Sequence, residues 1–172
     1  MRRQTGGSVS GASLFYACQV SRREQIKMTT AEVASLLDES RVVICATNGL
    51  DGWPHLMPLW YVIRDGEIWS WTYARSQKVR NLERDPRATL QIEDGDSYDQ
   101  LRGVMIEARA ELHRDCGVVT RLGAELLARY GGGSVTAEIE TAVAAQAAKR
   151  VALRFVAERT TSWDHRKLAG AY

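Results

Sequence analysis

The segment WTYARSQKVRNLERDP, residues 71–86, carries the side chains best suited to chemistry, because an aromatic strand-like stretch ends where a basic helix is predicted to begin. Ser76 is placed to cap that helix, so the free N–H groups of its first turn would point toward an anion. Lys78 lies in the first turn and Arg75 precedes it. The spacing is compatible with a phosphate site. On these residues alone, a solvent-exposed basic helix with surface ion pairs is the favoured interpretation.

Helix geometry ranks the cations of this segment. Arg80 follows Lys78 by two residues, about 200° around a helix, so both can reach one ligand only if the ligand lies across the helix end. Asn81 follows Lys78 by three residues and shares its face. We therefore expect Lys78 to matter more than Arg80 for an anion bound at this helix.

A second segment, residues 54–63, is apolar on both alternating faces, which predicts a strand covered on both sides. Pro58 cannot donate a ladder hydrogen bond, so it indicates an edge, a bulge or a neighbour such as a flat cofactor. His55 could donate to such a ligand, although a lone strand histidine is more often structural. Trp60 and Tyr73 add aromatic surface, which is more often core or subunit interface than cofactor site.

Composition excludes several classes of function. The chain has 172 residues, 45% hydrophobic, and its 23 basic and 21 acidic residues give a net charge of only +2, which favours neither a nucleic-acid nor a membrane partner. The longest apolar run is shorter than the roughly 20 residues needed to cross a bilayer. Three histidines and three cysteines lack metal-ligand spacing, so we expect no metal site, reduced thiols and a cytoplasmic protein.

The surrounding pattern predicts a mainly β protein with helices. Thr29 and Glu32 form a capping box that opens a first helix, and Asp65-Gly66 between two apolar runs is a hairpin signal. Strict alternation over 102–113 indicates a long antiparallel strand, and residues 115–148 read as two helices. We expect a flexible N-terminal arm over 1–28, one domain over 29–172, a last strand over 150–158 and an irregular tail. Strands joined mainly by turns predict an antiparallel barrel or sheet.

Together these segments resemble the split β-barrel family of pyridoxamine 5'-phosphate oxidase-like flavin and deazaflavin proteins, particularly its actinobacterial F420-dependent branch. The resemblance covers 29 to about 165. It depends on ATNGLDGWPHLMPLWYV, on the Ser-x-Lys-x-x-Asn-Leu-x-x-Asp-Pro spacing of residues 76–86, on LRGVMIEARAEL and more loosely on SWDHRKL. It implies an antiparallel split β-barrel with an inserted helical hairpin.

The resemblance also implies a homodimer that binds its cofactor in a groove between the two chains. The cofactor phosphate would be held near Ser76, Lys78 and Arg80, with Asn81 supporting the turn. The implied cofactor-binding residues are His55, Met57, Pro58, Trp60, Thr72, Tyr73, Ser76, Lys78, Arg80 and Asn81.

The implied reaction is hydride transfer from coenzyme F420 to a small organic acceptor, in which the cofactor supplies the reactivity and the protein supplies position and polarisation. The candidate proton donors are His55, Tyr61 and His165, with solvent as a further source. Two alternatives stay open: an FMN-binding oxidoreductase of the same fold, and a non-catalytic protein that binds a cofactor or haem. Related proteins carry either arginine or serine at position 76, so Ser76 does not decide between F420 and FMN.

Overall fold

The computed structural model describes residues 21–168, which form seven antiparallel strands, five α-helices and two short 3-10 helices. The helices are α1 (Arg22–Gln25), α2 (Thr30–Glu39), α3 (Gln77–Arg84), α4 (Cys116–Gly131) and α5 (Ala137–Ala147). The strands are β1 (Val43–Asn48), β2 (Pro54–Leu59), β3 (Tyr61–Arg64), β4 (Glu67–Tyr73), β5 (Arg87–Asp94), β6 (Arg102–His113) and β7 (Arg150–Asp164). The 3-10 helices span Tyr98–Gln100 and His165–Leu168.

All seven strands belong to one sheet with the order β2-β1-β5-β6-β7-β4-β3. Its two outer strands, β2 and β3, are consecutive in sequence and are joined by the single residue Trp60. Consecutive Cα atoms are only about 3.8 Å apart, so this connection brings the two sheet edges together. The sheet is therefore curled into a half-barrel that is split between β2 and β3, and the predicted split β-barrel is confirmed.

Helix α3 contacts strands on both sides of the split. Asn81 Nδ2 donates to Thr47 Oγ1 of β1 at 3.1 Å, and Lys78 Nζ donates to Thr72 Oγ1 of β4 at 3.4 Å. Because β1 and β4 lie near opposite ends of the strand order, these two hydrogen bonds tie one half of the sheet to the other. The basic helix predicted from the sequence thus closes the barrel.

The main core lies inside the curled sheet, where α2 and α3 contribute apolar side chains to those of all seven strands. Its largest fully buried members include Leu36, Tyr61, Leu82, Leu90, Ile92, Val104, Leu153 and Phe155. A second cluster lies on the outer face of β3, β4 and β7, beneath α4 and α5. It contains Val62, Val119, Leu122, Leu126, Ala147 and Ala152. The predicted helical hairpin is thus inserted between β6 and β7 and covers one outer face of the barrel.

Several local predictions are confirmed. Thr29 N donates to Glu32 Oε2 at 2.6 Å and Glu32 N to Thr29 Oγ1 at 3.3 Å, which completes the capping box. Asp65 and Gly66 both have positive φ, 51° and 79°, as the tight turn between β3 and β4 requires. The structure also shows that Gly132 ends α4 in the left-handed conformation, with φ 74°.

The strand predicted over 54–63 is wrong in two respects. The structure contains two strands there, broken at Trp60, and β2 is an edge strand whose apolar side chains are largely exposed. Apolar residues on both faces of a strand indicate that both faces are covered. Among the residues of β2, however, only Leu59 is buried within the described chain 21–168. The interpretation of Pro58 as an edge residue is confirmed, because β2 pairs only with β1.

The last strand is longer than predicted. It continues to Asp164 opposite β6, past a register shift between Glu107 and Ala108. Residues 157–160 are exposed, so the strand loses its apolar alternation there and its sequence looks irregular.

Residues just before position 29 contact β7. Most of the predicted arm over 1–28 lies outside the described residues. Within 21–28, Ile26 O accepts from Asp164 N at 2.7 Å, Met28 N donates to Ser162 Oγ at 3.1 Å, and the Met28 side chain is buried. The packed region therefore begins before residue 29. In the described part of the chain, no helix is long and apolar enough to span a membrane.

Candidate functional site

The start of α3 brings three of the predicted residues together. Ser76 caps the helix, and its Oγ accepts from Val79 N at 3.4 Å. Thr72 Oγ1 lies 3.5 Å from Ser76 Oγ and accepts from Lys78 Nζ at 3.4 Å. Two hydroxyls and an ammonium group are thus clustered at the positive end of the helix dipole. This arrangement suits a phosphate or carboxylate.

The Lys78 side chain is buried, with 3% of its surface exposed. Within residues 21–168, no carboxylate lies within 4.0 Å of its ammonium group. Burial lowers the pKa of Lys78, because desolvation disfavours the charged form. The nearby Cys45 thiol offers no compensating charge, since burial raises its pKa to about 12. A buried cation without an anionic partner is costly, and a bound anion would remove that cost.

Asn81 supports the same helix from the other side. Its Oδ1 accepts from Gln77 Nε2 at 2.9 Å, while its Nδ2 donates to Thr47. Thr47 Oγ1 lies 3.4 Å from His55 O and donates to it, so the helix is linked through β1 to β2. The sequence indicated the role of Asn81 but missed Thr47, whose signal is a polar residue on the buried face of β1.

His55 of β2 faces the same helix, α3, across a cavity. Its Nδ1 is buried and has no hydrogen-bond partner in the described part of the chain. Together with Gln77 and Asn81, His55 lines a cavity of about 740 Å³ beneath the loop 49–54. A buried ring nitrogen without a partner is uncommon, so it marks a place where a ligand polar group fits.

Arg75 and Arg80 do not join the cluster. Both side chains are exposed, and no hydrogen bond or ion pair anchors either of them within residues 21–168. The helix geometry predicted this difference between Arg80 and Lys78. Arg80 can meet a ligand at the surface only if the ligand extends across the end of α3.

The last residues of the 76–86 motif make structural contacts at the end of α3. Asp85 accepts from Asn48 Nδ2 at 2.8 Å and from Arg87 NH2 at 2.7 Å. The Arg87 guanidinium, followed by Asn48, holds the pKa of Asp85 well below its usual range. Leu82 is buried in the core, and Pro86 O accepts from Ala110 N at 2.8 Å. These contacts fix the angle at which α3 crosses the split.

The β2 edge presents apolar surface next to this helix. Met57 is 43% exposed and Trp60 is 53% exposed. One face of the Trp60 ring stacks on Tyr130, with centroids 4.3 Å apart and planes at 7°. The hydroxyl of Tyr130 accepts from Tyr61 N at 2.9 Å and donates to Arg41 O at 2.6 Å, so α4 holds the β2–β3 junction in place. Pro58 also lies on this edge. A flat ring could bind against it.

The three candidate proton donors occupy different environments. Tyr61 is fully buried, and its hydroxyl lies 2.7 Å from Leu37 O and 3.1 Å from Ser40 O, so it serves the fold and does not reach the site. Burial raises its pKa above the ordinary tyrosine value. His165 Nδ1 lies 3.0 Å from Tyr98 O at the far end of β7, roughly 45 Å of strand from Arg150. Within one chain, His55 alone among the three candidates lies beside Lys78's helix.

Tyr73 is exposed on the outer face of β4 and contacts Arg150. The Arg150 guanidinium carbon lies 4.3 Å from the Tyr73 ring centroid and 4.2 Å from that of Trp71. Sequence reasoning missed Arg150 and Tyr130, because an arginine opening a strand and a tyrosine closing a helix carry no motif. Packing of α4 brings Tyr130 against Trp60, and the pairing of β4 with β7 places Arg150 opposite Tyr73.

Comparison with known proteins agrees with this architecture. The model of the pyridoxamine 5'-phosphate oxidase family matches residues 29–164. Among curated proteins, no sequence matches the chain. A solved structure described as the conserved hypothetical protein Rv2991 from Mycobacterium tuberculosis shares 47% identity with a TM-score of 0.81, covering 87% of this chain and 93% of that one.

Two more distant structures share the fold. One is described as an F420 reductase and has 21% identity and a TM-score of 0.57, covering 73% of this chain and 93% of the other. The second is a FAD-binding protein from Mesorhizobium loti, with 18% identity and a TM-score of 0.60, covering 79% and 94% of the two chains. At these identities the likeness shows the fold alone.

Proposed function

The chain belongs to the pyridoxamine 5'-phosphate oxidase family, and we propose that it is an oxidoreductase that uses coenzyme F420 to reduce a small organic acceptor. The family's fold carries F420- and flavin-binding proteins among its structural neighbours. Dependence on F420 is the part of this proposal that goes beyond the family.

The observation that carries the proposal is the buried ammonium group of Lys78. It lies at the N-terminus of α3 beside two hydroxyls, without a carboxylate partner among residues 21–168. Charge-assisted hydrogen bonds to an anion contribute on the order of 1.5–3 kcal/mol each when shielded from water. A phosphate in this cluster would give Lys78 the counterion it lacks, with Ser76 and Thr72 as further hydrogen-bonding partners.

The remaining residues fit a ring system joined to such a phosphate. Met57, Pro58 and the exposed Trp60 offer apolar surface along the β2 edge, and the unpartnered Nδ1 of His55 can bond a ring substituent. When bound, a reduced deazaflavin or flavin would supply a hydride. The protein would position the acceptor, exclude water, and deliver the balancing proton from His55 or from solvent.

FMN is the second candidate cofactor. F420 and FMN both carry a phosphate, which the cluster of Thr72, Ser76 and Lys78 would bind. A FAD-binding protein among the structural neighbours supports a flavin as well. The two are separated by purifying the protein from a host that lacks F420. A yellow protein with a flavin spectrum would support FMN, whereas a colourless protein that changes the fluorescence of added F420 would support the deazaflavin.

Titration of the purified protein with F420 and with FMN tests the site. We expect Lys78→Ala to weaken binding of the true cofactor at least tenfold, which corresponds to about 1.4 kcal/mol. Arg80→Ala is the matched control and should change affinity less than threefold, because its side chain is exposed. Unchanged affinity in Lys78→Ala would refute the phosphate site. An equal loss in both variants would instead place the ligand across the end of the helix.

Turnover separates an enzyme from a binding protein. One structural neighbour, from Vibrio cholerae, is described as a haem storage protein, so binding without catalysis is a defined alternative on this fold. We expect reduced F420 to be oxidised in the presence of an enone or quinone. Tight cofactor binding without oxidation by any such acceptor would support the non-catalytic alternative.

We further propose that two chains form the cofactor site. An edge strand with exposed apolar side chains promotes pairing or aggregation unless a partner covers it. On β2 and the adjoining loop these side chains are Leu50, Trp53, Leu56, Met57 and Trp60. A second copy that covers this edge would also enclose the ring-binding surface.

A further inference from the structure

A second cavity, of about 380 Å³, lies between the α4–α5 hairpin and the barrel. Most of its wall is apolar. Trp71 lines it from β4 and Trp60 from the junction between β2 and β3, while Leu126, Leu127 and Val143 line it from the two helices. Its volume and composition are typical of sites for small organic molecules. None of the residues that form the Lys78 cluster lines this cavity.

Arg150 is the single charged residue in the wall. Its guanidinium is held between the rings of Trp71 and Tyr73, at 4.2 and 4.3 Å from their centroids. Its Nε is buried without a hydrogen-bond partner, and no carboxylate lies within 4.0 Å of the guanidinium in the part of the chain described. Two aromatic rings thus fix the position of a cation whose hydrogen-bond donors are free.

Arg154, on the same face of β7 as Arg150, is paired with carboxylates. It lies four residues further along β7 and bonds Glu67 at 2.5 Å and Glu111 at 3.1 Å. Its charge is therefore compensated by two carboxylates. The Arg150 guanidinium instead contacts two aromatic rings, which stabilise a cation but leave its buried Nε without an acceptor. This contrast points to an external anion at Arg150.

The cavity is separate from the Lys78 cluster because side chains alternate along β4. Thr72 points to the inside of the barrel, where it contacts Lys78, while Trp71 and Tyr73 point outward to Arg150. A phosphate at Lys78 and an anion at Arg150 would thus lie on opposite faces of one strand. The two anion positions can therefore be tested independently.

We propose that this cavity binds a small organic anion composed of a flat apolar body and a carboxylate. The carboxylate would form a bidentate pair with Arg150, whose planar fork matches it. The apolar body would lie between Trp60, Trp71 and the leucines of α4. A purely apolar ligand would leave the Arg150 donors unsatisfied, and a small inorganic anion would leave the apolar wall exposed to water.

This cavity also indicates a substrate class, a step that rests on the proposed function. Pro58 and Trp60 line it and also belong to the predicted ring-binding edge. An acceptor anchored at Arg150 would therefore lie next to the cofactor ring. The acceptor class that fits is an unsaturated organic acid, which takes up one hydride and one proton across its double bond.

Calorimetric titration with 2-naphthoate and its neutral analogue 2-naphthamide tests the site without any cofactor. We expect the unmodified protein to bind naphthoate at least tenfold more tightly than naphthamide. Arg150→Gln should reduce this preference to less than threefold, because it removes the charge and keeps a polar side chain. Arg154→Gln, the matched control, should retain the preference, since Arg154 is already paired with carboxylates.

Two further variants test whether the probes bind inside the cavity and apart from the cofactor site. Leu127→Trp, at a half-exposed wall position, should weaken both probes at least fivefold by filling the cavity. Lys78→Ala should leave both affinities unchanged, so that this proposal and the cofactor site can fail separately. Equal affinity for the two probes in the unmodified protein, or equal losses in Arg150→Gln and Arg154→Gln, would overturn the assignment.

Discussion

At the scale of single residues, Lys78 couples binding to stability. A buried charge without a partner disfavours the folded state, so the residue that would hold an anion weakens the empty protein. Functional groups of this kind commonly cost stability. Serine at position 76 and threonine at position 72 do not carry such a cost, because their hydroxyls bond each other or the helix.

We predict that Lys78→Met raises the free energy of unfolding of the cofactor-free protein by about 1–2 kcal/mol, or about 2–8 °C in midpoint for a chain of this size. The pKa of Lys78 is lowered in the folded state, so its destabilising effect is full below the folded pKa. That effect fades as pH rises from there toward the ordinary lysine value of about 10.4. Denaturant unfolding at pH 7 and pH 9.5 should therefore show a smaller gain at the higher pH. A loss of stability at pH 7 would contradict this account.

Sequence reasoning reached the site residues that belong to one local motif. Ser76, Lys78 and Asn81 could be ranked because a helix fixes their relative directions. Thr47 and Arg150 could not, since each meets its neighbours only after distant strands pair. The burial of Tyr61 could not be predicted either, because it depends on α2, whose Leu37 O accepts a hydrogen bond from the Tyr61 hydroxyl.

At the scale of elements, turn and helix-cap residues predicted where strands and helices begin and end. The apolar composition of β2 did not predict that most of its side chains are exposed. The hairpin at Asp65 and the capping box at Thr29 depend on short-range chemistry and are confirmed. The break at Trp60 depends on how the sheet curls. The length of β7 depends on pairing with β6, which stabilises a strand even where its side chains are polar and exposed.

The position of α4 depends on a close approach at Gly123. A Cβ atom there would lie 2.4 Å from the Trp71 ring and 2.5 Å from Val143 Cγ1. We predict that Gly123→Ala lowers the free energy of unfolding by about 1–3 kcal/mol, because the hairpin must shift away from the barrel. Gly131→Ala, at a helical position with no atom within 4 Å of the added group, should stay within about 0.5 kcal/mol. Thermal unfolding of both variants measures the difference, and equal midpoints would contradict the close approach.

At the scale of the whole molecule, the uncovered β2 edge indicates assembly. We predict that light scattering at micromolar concentration gives twice the chain mass of 19.2 kDa. Leu56→Arg should shift the protein toward the single-chain mass, because the 55% exposed side chain tolerates arginine in the monomer but a buried interface does not. Val135→Arg, at an exposed position in the loop between α4 and α5, is the control and should leave the mass unchanged. A single-chain mass for the unmodified protein would refute the dimer.

The placement of the α4–α5 hairpin has a consequence for how such proteins diversify. His113 and Ala152, which flank the insert, are direct partners in the β6–β7 ladder. The insert therefore leaves and re-enters the barrel at neighbouring positions, so its length and sequence can change without disturbing strand pairing. Changes within residues 114–149 would therefore alter the helical wall of the cavity at Arg150. They would leave the β6–β7 pairing and the Lys78 helix in place.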